Sequence, residues 1–135
     1  MADLVITPAD LELASSRSRP STVQAGEAIE AGELVYRDTT TGKYLLASAS
    51  AEASAAIEGI AVTAAGVDGY FSMLSSTSLI LGATLTQGTP YFLSTNSGKI
   101  APFADIGAGD YVSLLGFASS TSVIQLDILA TGISI

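Results

Sequence analysis

Three sets of side chains in this sequence have types and spacings that could do chemistry. Glu27, Glu30 and Glu33 recur every third residue and offer the paired carboxylates of a glycoside hydrolase, or a weak calcium site. Lys43 and Lys99 are the only lysines, and a serine beside either would make a Ser-Lys pair. "GAGDYV", Gly107 to Val112, begins like a phosphate-binding loop. Two common catalytic types are absent: the chain has no histidine and no cysteine. That removes His-dependent general acid-base chemistry, thiolate nucleophiles and disulfides.

Each candidate weakens when its setting is considered. A serine nucleophile needs an adjacent activating base, and both lysines sit after a glycine in a turn, where an exposed lysine is expected. Val112 stands where the third glycine of a nucleotide loop belongs, and an apolar β-like run follows instead of a helix, so a turn before a strand is expected there. The three glutamates lack the alternating Asp/Asn ladder of a calcium loop. They read as a solvated acidic loop or, less simply, as a site of their own. No catalytic residue, metal ligand or cofactor site is therefore assigned.

What positions these residues is a pattern that occurs twice. "AGEAIEAGELVYRDTTTGKYLLA" (Ala25 to Ala47) and "LGATLTQGTPYFLSTNSGKIAPF" (Leu81 to Phe103) align at an offset of 56 residues. Gly26 matches Gly82, Gly32 matches Gly88, Gly42 matches Gly98, and Lys43 matches Lys99. Ile29 and Leu85, Val35 and Tyr91, Tyr36 and Phe92 follow at the same offset. Glu27, Glu30 and Glu33 face Ala83, Thr86 and Thr89, so the scaffold itself does not require the acids. Further on, Gly59 aligns with Gly116, and the strand holding Phe71 and Met73 aligns with Ile124 and Leu126 at an offset of 53 or 54. The six glycines at 26, 32, 42, 82, 88 and 98 are assigned to turns, and valine at Gly32 or at Gly88 is expected to destabilise equally.

Local signals are mostly β. Glu33–Arg37 and Lys43–Ala47 flank "DTTTG"; Pro90–Ser94 and Lys99–Phe103 flank "TNSG". Both read as hairpins. Asp68-Gly69 is a tight-turn pair, and "SVIQLDIL" alternates with the period of a half-buried strand. Only "ASAEASAA", Ala49 to Ala56, invites a helical turn or two. The predicted fold is all-β, a compact sandwich or barrel built from two pseudo-twofold repeats, about 25–81 and 81–135, after an extended N-terminal arm, 1–24.

Composition bounds the partners. A net charge of −8 with five cations argues against nucleic acid and against an anionic membrane surface. Polar residues interrupt every apolar run, so no membrane helix is expected, and the first sixteen residues lack the n- and h-regions of a secretory signal. Charged residues make up only 13%, and none falls between Gly69 and Gly98, which points to surface buried against partners. The arm carries Leu4, Ile6, Leu11 and Leu13 as apolar anchors, with Arg17 and Arg19 in a Ser-rich stretch before Pro20. A solvated tail is one reading. An arm packing on a neighbour is the other, and the Leu and Ile content favours it. Without residues 1–22 the domain is expected to fold but not to bind its partner.

The doubled glycine pattern, the Gly-Lys turn, then Gly59-Ile60-Ala61 or Gly116-Phe117-Ala118 and a last alternating strand, resembles small capsid decoration (cement) proteins of tailed bacteriophages, over about Ala25 to Ile135. The resemblance implies a structural virion protein, not an enzyme. Such a protein is made in the host bacterial cytoplasm and binds the exterior of an icosahedral capsid as a homotrimer. There it staples neighbouring subunits of the major capsid protein. Other readings are a phage tail, baseplate or fibre β-domain, and a carbohydrate-binding adhesion module using exposed tyrosines; a carboxylate-dependent hydrolase is the remotest.

Overall fold

Short runs of Val, Ile, Leu, Tyr and Phe cut by Gly, Asp, Asn and Pro form strands because no run is long enough for a helix and every break offers a turn. The computed structural model describes residues 3–14 and 20–135. In chain order the strands are β1 (Glu12–Leu13), β2 (Ser21–Gln24), β3 (Leu34–Arg37), β4 (Tyr44–Leu46), β5 (Gly59–Ala61), β6 (Tyr70–Leu74), β7 (Ser78–Ile80), β8 (Pro90–Leu93), β9 (Ile100–Pro102), β10 (Tyr111–Ala118) and β11 (Val123–Ser134). Single 3-10 turns lie at Pro8–Asp10 and Phe103–Asp105. Two antiparallel sheets pack as a sandwich. One has the order β2-β6-β5-β3-β4, the other β1-β7-β11-β10-β8-β9.

Both predicted hairpins form, β3–β4 and β8–β9, with Tyr36 opposite Leu45 in one and Phe92 opposite Ala101 in the other. Leaving β1 aside, the two sheets have the same strand order. Val35 faces Gly59 as Tyr91 faces Gly116. Val23 faces Phe71 as Leu79 faces Ile124, but Ile60 faces Leu74 and Ala61 faces Met73 where Phe117 faces Gln125 and Ala118 faces Ile124, so the last strand is slid by two residues between the sheets and no single offset holds for it. Loop hydrogen bonds correspond as well: Gly32 N donates to Ala61 O and Gly88 N to Ala118 O, while Ile29 N donates to Ala65 O and Leu85 N to Thr121 O.

The "ASAEASAA" stretch forms turns, not a helix: Ala55 N reaches Ala51 O, but Ser54 Oγ is taken by Ser48 O and Ala51 O. Serine side chains competing for backbone carbonyls in this way favour turns over helix propagation. The arm boundary also moves. β2 belongs to the five-stranded sheet, so residue 24 lies inside the domain and the arm ends before Ser21.

The five-stranded sheet curls until Ala25, continuing β2, forms a parallel bridge to Tyr44 on β4, and Gly26 N donates to Tyr44 O. A separate small core of Ala25, Ile29, Val35, Ala61, Phe71 and Met73 fills that curl. The six-stranded sheet does not close on itself in this way. Ile100 O, the counterpart of Tyr44 O, accepts instead from Leu4 N of the arm, and Thr7 N donates to Gly82 O. β1 then adds to the edge of β7.

The apolar arm residues are thereby used within the chain. Leu11 is buried in the main core, and Leu4 and Ile6 pack against it. Leu13 is exposed, and Arg17 and Arg19 lie outside the described residues. Five of the six turn glycines have positive φ; Gly26 does not, and its place is set by Leu45 Cδ2, which a Cβ there would meet at 2.7 Å.

Two predictions follow from the arm. Burying one leucine or isoleucine side chain fully is worth roughly 1.5–3 kcal/mol, so deleting residues 1–13 is expected to lower Tm by roughly 10 °C or more. An unchanged melting curve would remove the arm from the core. The second concerns Gly32 and Gly88, with φ of 93° and 82°. Valine at either costs about 1–2 kcal/mol in backbone strain. A Cβ at Gly32 also meets Ile6 Cγ2 at 2.8 Å, whereas the space at Gly88 is open. Gly32→Val is therefore expected to be the more damaging change, and Ile6→Ala to narrow the gap; urea midpoints of the four variants read this directly.

Candidate interaction face

The residues that might have made a reactive centre are held in separate structural duties. Glu33 Oε1 accepts from Glu30 N at 2.7 Å and its Oε2 lies 3.7 Å from Lys99 Nζ. Glu27 Oε2 accepts from Leu46 N at 3.0 Å. Lys43 Nζ bonds Asp68 Oδ1 at 2.7 Å, next to the turn where Asp68 itself takes a positive φ of 65°. Among the described residues no three acidic side chains cluster so as to hold a metal ion. The Gly107–Asp110 segment is a turn leading into β10, closed by Gly107 N donating to Asp110 Oδ2 at 2.8 Å.

A groove of about 540 Å³ runs between the arm and the β8–β9 hairpin, bordered by Leu4, Ile6, Asn96, Lys99 and Asp105. Its polar groups bridge the walls: Asn96 Nδ2 donates to Asp3 Oδ2 at 2.7 Å. The groove is a seam held by the chain's own contacts.

The tyrosines divide in the same way. Tyr91 is in the core, with its hydroxyl accepting from Thr86 N at 3.0 Å. Tyr36, Tyr44 and Tyr111 are half-buried, and Tyr70 is exposed on β6. Tyr44 packs edge-on against Phe71 with ring centroids 6.4 Å apart. No aligned row of exposed tyrosines results.

A contiguous exposed apolar surface does exist, on the outward side of the six-stranded sheet. Leu114 on β10 faces Phe92 on β8 and Leu129 on β11; Phe117 faces Pro90 and Gln125. Two adjacent cross-strand rows therefore run over three strands. Phe103, from the 3-10 turn after β9, closes one end by packing edge-on against Phe92, ring centroids 5.4 Å apart. Phe103 is 51% exposed, Phe117 43% and Leu129 58%. Aromatic and aliphatic side chains in register across strands form a firm platform. Contiguous apolar surface of this kind, unlike scattered single residues, is a candidate interaction site. The alternation of β11 hinted at one buried side; it did not disclose that the other side, from Leu129 on, is also apolar, because that depends on what the opposite sheet fails to cover.

No protein-family model matches the chain, and no curated protein matches it at a significant level.

Burial raises the pKa of Tyr36, and the nearby Asp38 and Glu27 charges add to it; burial and then Glu58 raise that of Tyr44. A phenol whose folded pKa exceeds its unfolded value, about 10, stabilises the fold fully below that pH and loses the contribution as pH rises through the folded value. Urea midpoints are therefore expected to fall above about pH 10. Tyr36→Phe with Tyr44→Phe should flatten that fall; an identical alkaline limb in the double variant would locate its cause elsewhere.

Proposed function

We propose that this chain is a structural subunit of a phage virion, a cement protein that binds the capsid exterior as a homotrimer and joins neighbouring copies of the major capsid protein. The observation that carries the reading is the Phe92, Phe103, Phe117 and Leu129 platform on an otherwise well-packed sandwich. A chain with 13% charged residues that leaves such a face open is shaped to be covered. The resemblance of its doubled glycine pattern to decoration proteins supplies the identity of the partner.

The mechanism needs no reactive group. A ligand that binds the assembled shell and not its free subunits stabilises the shell by mass action. Contacts repeated by symmetry add through avidity, so each one need only be modest. A pre-formed β-platform suits this role, because little ordering entropy is lost on docking.

The test is addition of the purified protein to expanded shells, followed by sedimentation. The expected result is saturation at a copy number set by icosahedral symmetry, with shells that resist heating better than bare ones. No co-sedimentation, or a few copies per particle, would overturn the capsid reading; the second result would point to the tail.

A further inference from the structure

The two units are wired alike, but their last strands differ in length. β6 ends at Leu74, and the chain turns into β7; β11 runs on to Ser134. On one side β10 follows β11 as far as Tyr111, which faces Ser134. On the other side β7 pairs only with Val123, Ile124 and Gln125, and a last bond runs from Leu126 N to Thr77 O at 2.9 Å. Along residues 127–134 no strand occupies that side among the described residues.

Natural sheets pair, shorten or charge their edges, because a bare edge recruits other strands. The other edges here are treated in that way. β2 and β4 meet through Ala25 and Tyr44. β9 is three residues long, ends in Pro102, and its Ile100 O accepts from Leu4 N. β7 is covered by β1, a two-residue edge carrying Glu12. The second half of β11 has no proline and a single charge, Asp127, while Leu129, Ile133 and Ile135 are exposed. It is also held in place. Ile135 N donates to Asp110 O at 3.1 Å, Gly109 N donates to Ile135 O, and Thr131 Oγ1 donates to Val112 O at 2.7 Å. A pre-formed edge loses little entropy when another strand joins it.

We infer that this edge takes an added strand, an extended segment of a partner protein that alternates apolar and basic residues. Backbone hydrogen bonds to β11 around Leu129 and Ile133 supply affinity, and alternate side chains supply the choice of partner. Three or four residue pairs suffice, as β7 makes with the first half of β11. The charges select a basic occupant. No cation follows Lys99, whereas Asp105, Asp110 and Asp127 do. A Cβ on Gly132 would lie 3.6 Å from Glu52 Oε1. A second copy of this chain, with its net charge of −8, brings the wrong sign. The partner's apolar residues would lie beside Leu129, at the border of the Phe92 and Phe103 platform. The inference rests on the proposed structural role only in taking the partner to be the shell protein.

Fluorescence anisotropy with a labelled peptide of about eight alternating lysine and valine residues, titrated with the full chain, tests the edge without shells. Saturable binding is expected, at least tenfold weaker when glutamate replaces every lysine. N-methylation of one alternate set of peptide amides should abolish binding, and N-methylation of the other set should not, because only one set faces β11. Asp127→Lys combined with Ile133→Lys should weaken binding at least tenfold with an unchanged urea midpoint, since both sites are exposed. Phe103→Ser, on the platform and off the edge, should leave peptide binding intact and lower shell binding. No binding, equal effects of the two methylated sets, or a dimer of the chain through β11 in light scattering would overturn the inference. Shell binding without peptide binding would overturn it too and leave the structural role standing; peptide binding without shell binding would support the edge and overturn the capsid reading.

Discussion

The seating of the Gly98 turn between Leu34 and Ala47 decides most of what this molecule is. That turn has to satisfy backbone groups of two different sheets at once. Gly98 N and O both leave their own hairpin to bond Ala47 and Leu34. In a buried seam an unpaired amide or carbonyl costs about 1–3 kcal/mol, so the bonds fix the sliding register of one sheet on the other. Glycine suits the position, because its φ is 75° and a Cβ there would lie 3.1 Å from Glu33 and Leu46 side-chain atoms. Once the turn is seated, Leu34, Ile60 and Leu74 on one side and Leu93, Ile100 and Leu115 on the other are brought into a single core. The outward platform follows as the remainder, being the surface that this one-way seating cannot cover.

The arm solves a second problem created by the same asymmetry. The first sheet satisfies Tyr44 O with its own Gly26. In the second, Ile100 O and Gly82 O are satisfied by the arm, which supplies Leu4 N and Thr7 N. Leu4 and Ile6 then wedge between Gly32 of one unit and Ile100 of the other, so the arm is mortar between units as well as an added edge. Edge strands of Val, Ile and Phe left bare promote aggregation, and an edge built from Glu12 and Leu13 with only two residues paired is a short, charged one.

How far the sequence disclosed this follows the range of the interactions. Both hairpins, the turn at Asp68-Gly69 and the buried alternation of Ile124 and Leu126 were legible, because a turn residue and a period of two act within a few residues. The helical turn expected at Ala49 to Ala56 was misjudged for a local reason too, since serine hydroxyls compete for the carbonyls a helix needs. The arm and the platform were not legible. Leu4 and Ile6 look the same whether they meet their own Ile100 or a neighbour's. Phe103 and Phe117 look like core until the facing sheet is found to stop short of them. The acidic candidates were readable in type but not in use: Glu27 and Glu33 turned out to hold backbone amides of β4 and of their own loop.

One-way packing of like units also explains a compositional oddity. If both units had met through the same patch, selection for a core would have kept leucine-like residues at both sets of positions. Instead the positions of the first unit that match the covering patch hold Arg37, Asp38 and Glu58, while the positions of the second that match the covered patch hold Pro90, Phe103 and Phe117. A surface under pressure for solubility alone would have lost the aromatic rings along with the leucines, since exposed phenylalanine gains nothing from water. Retaining rings on one patch while placing charge on the other fits the proposal that the platform is covered by a partner.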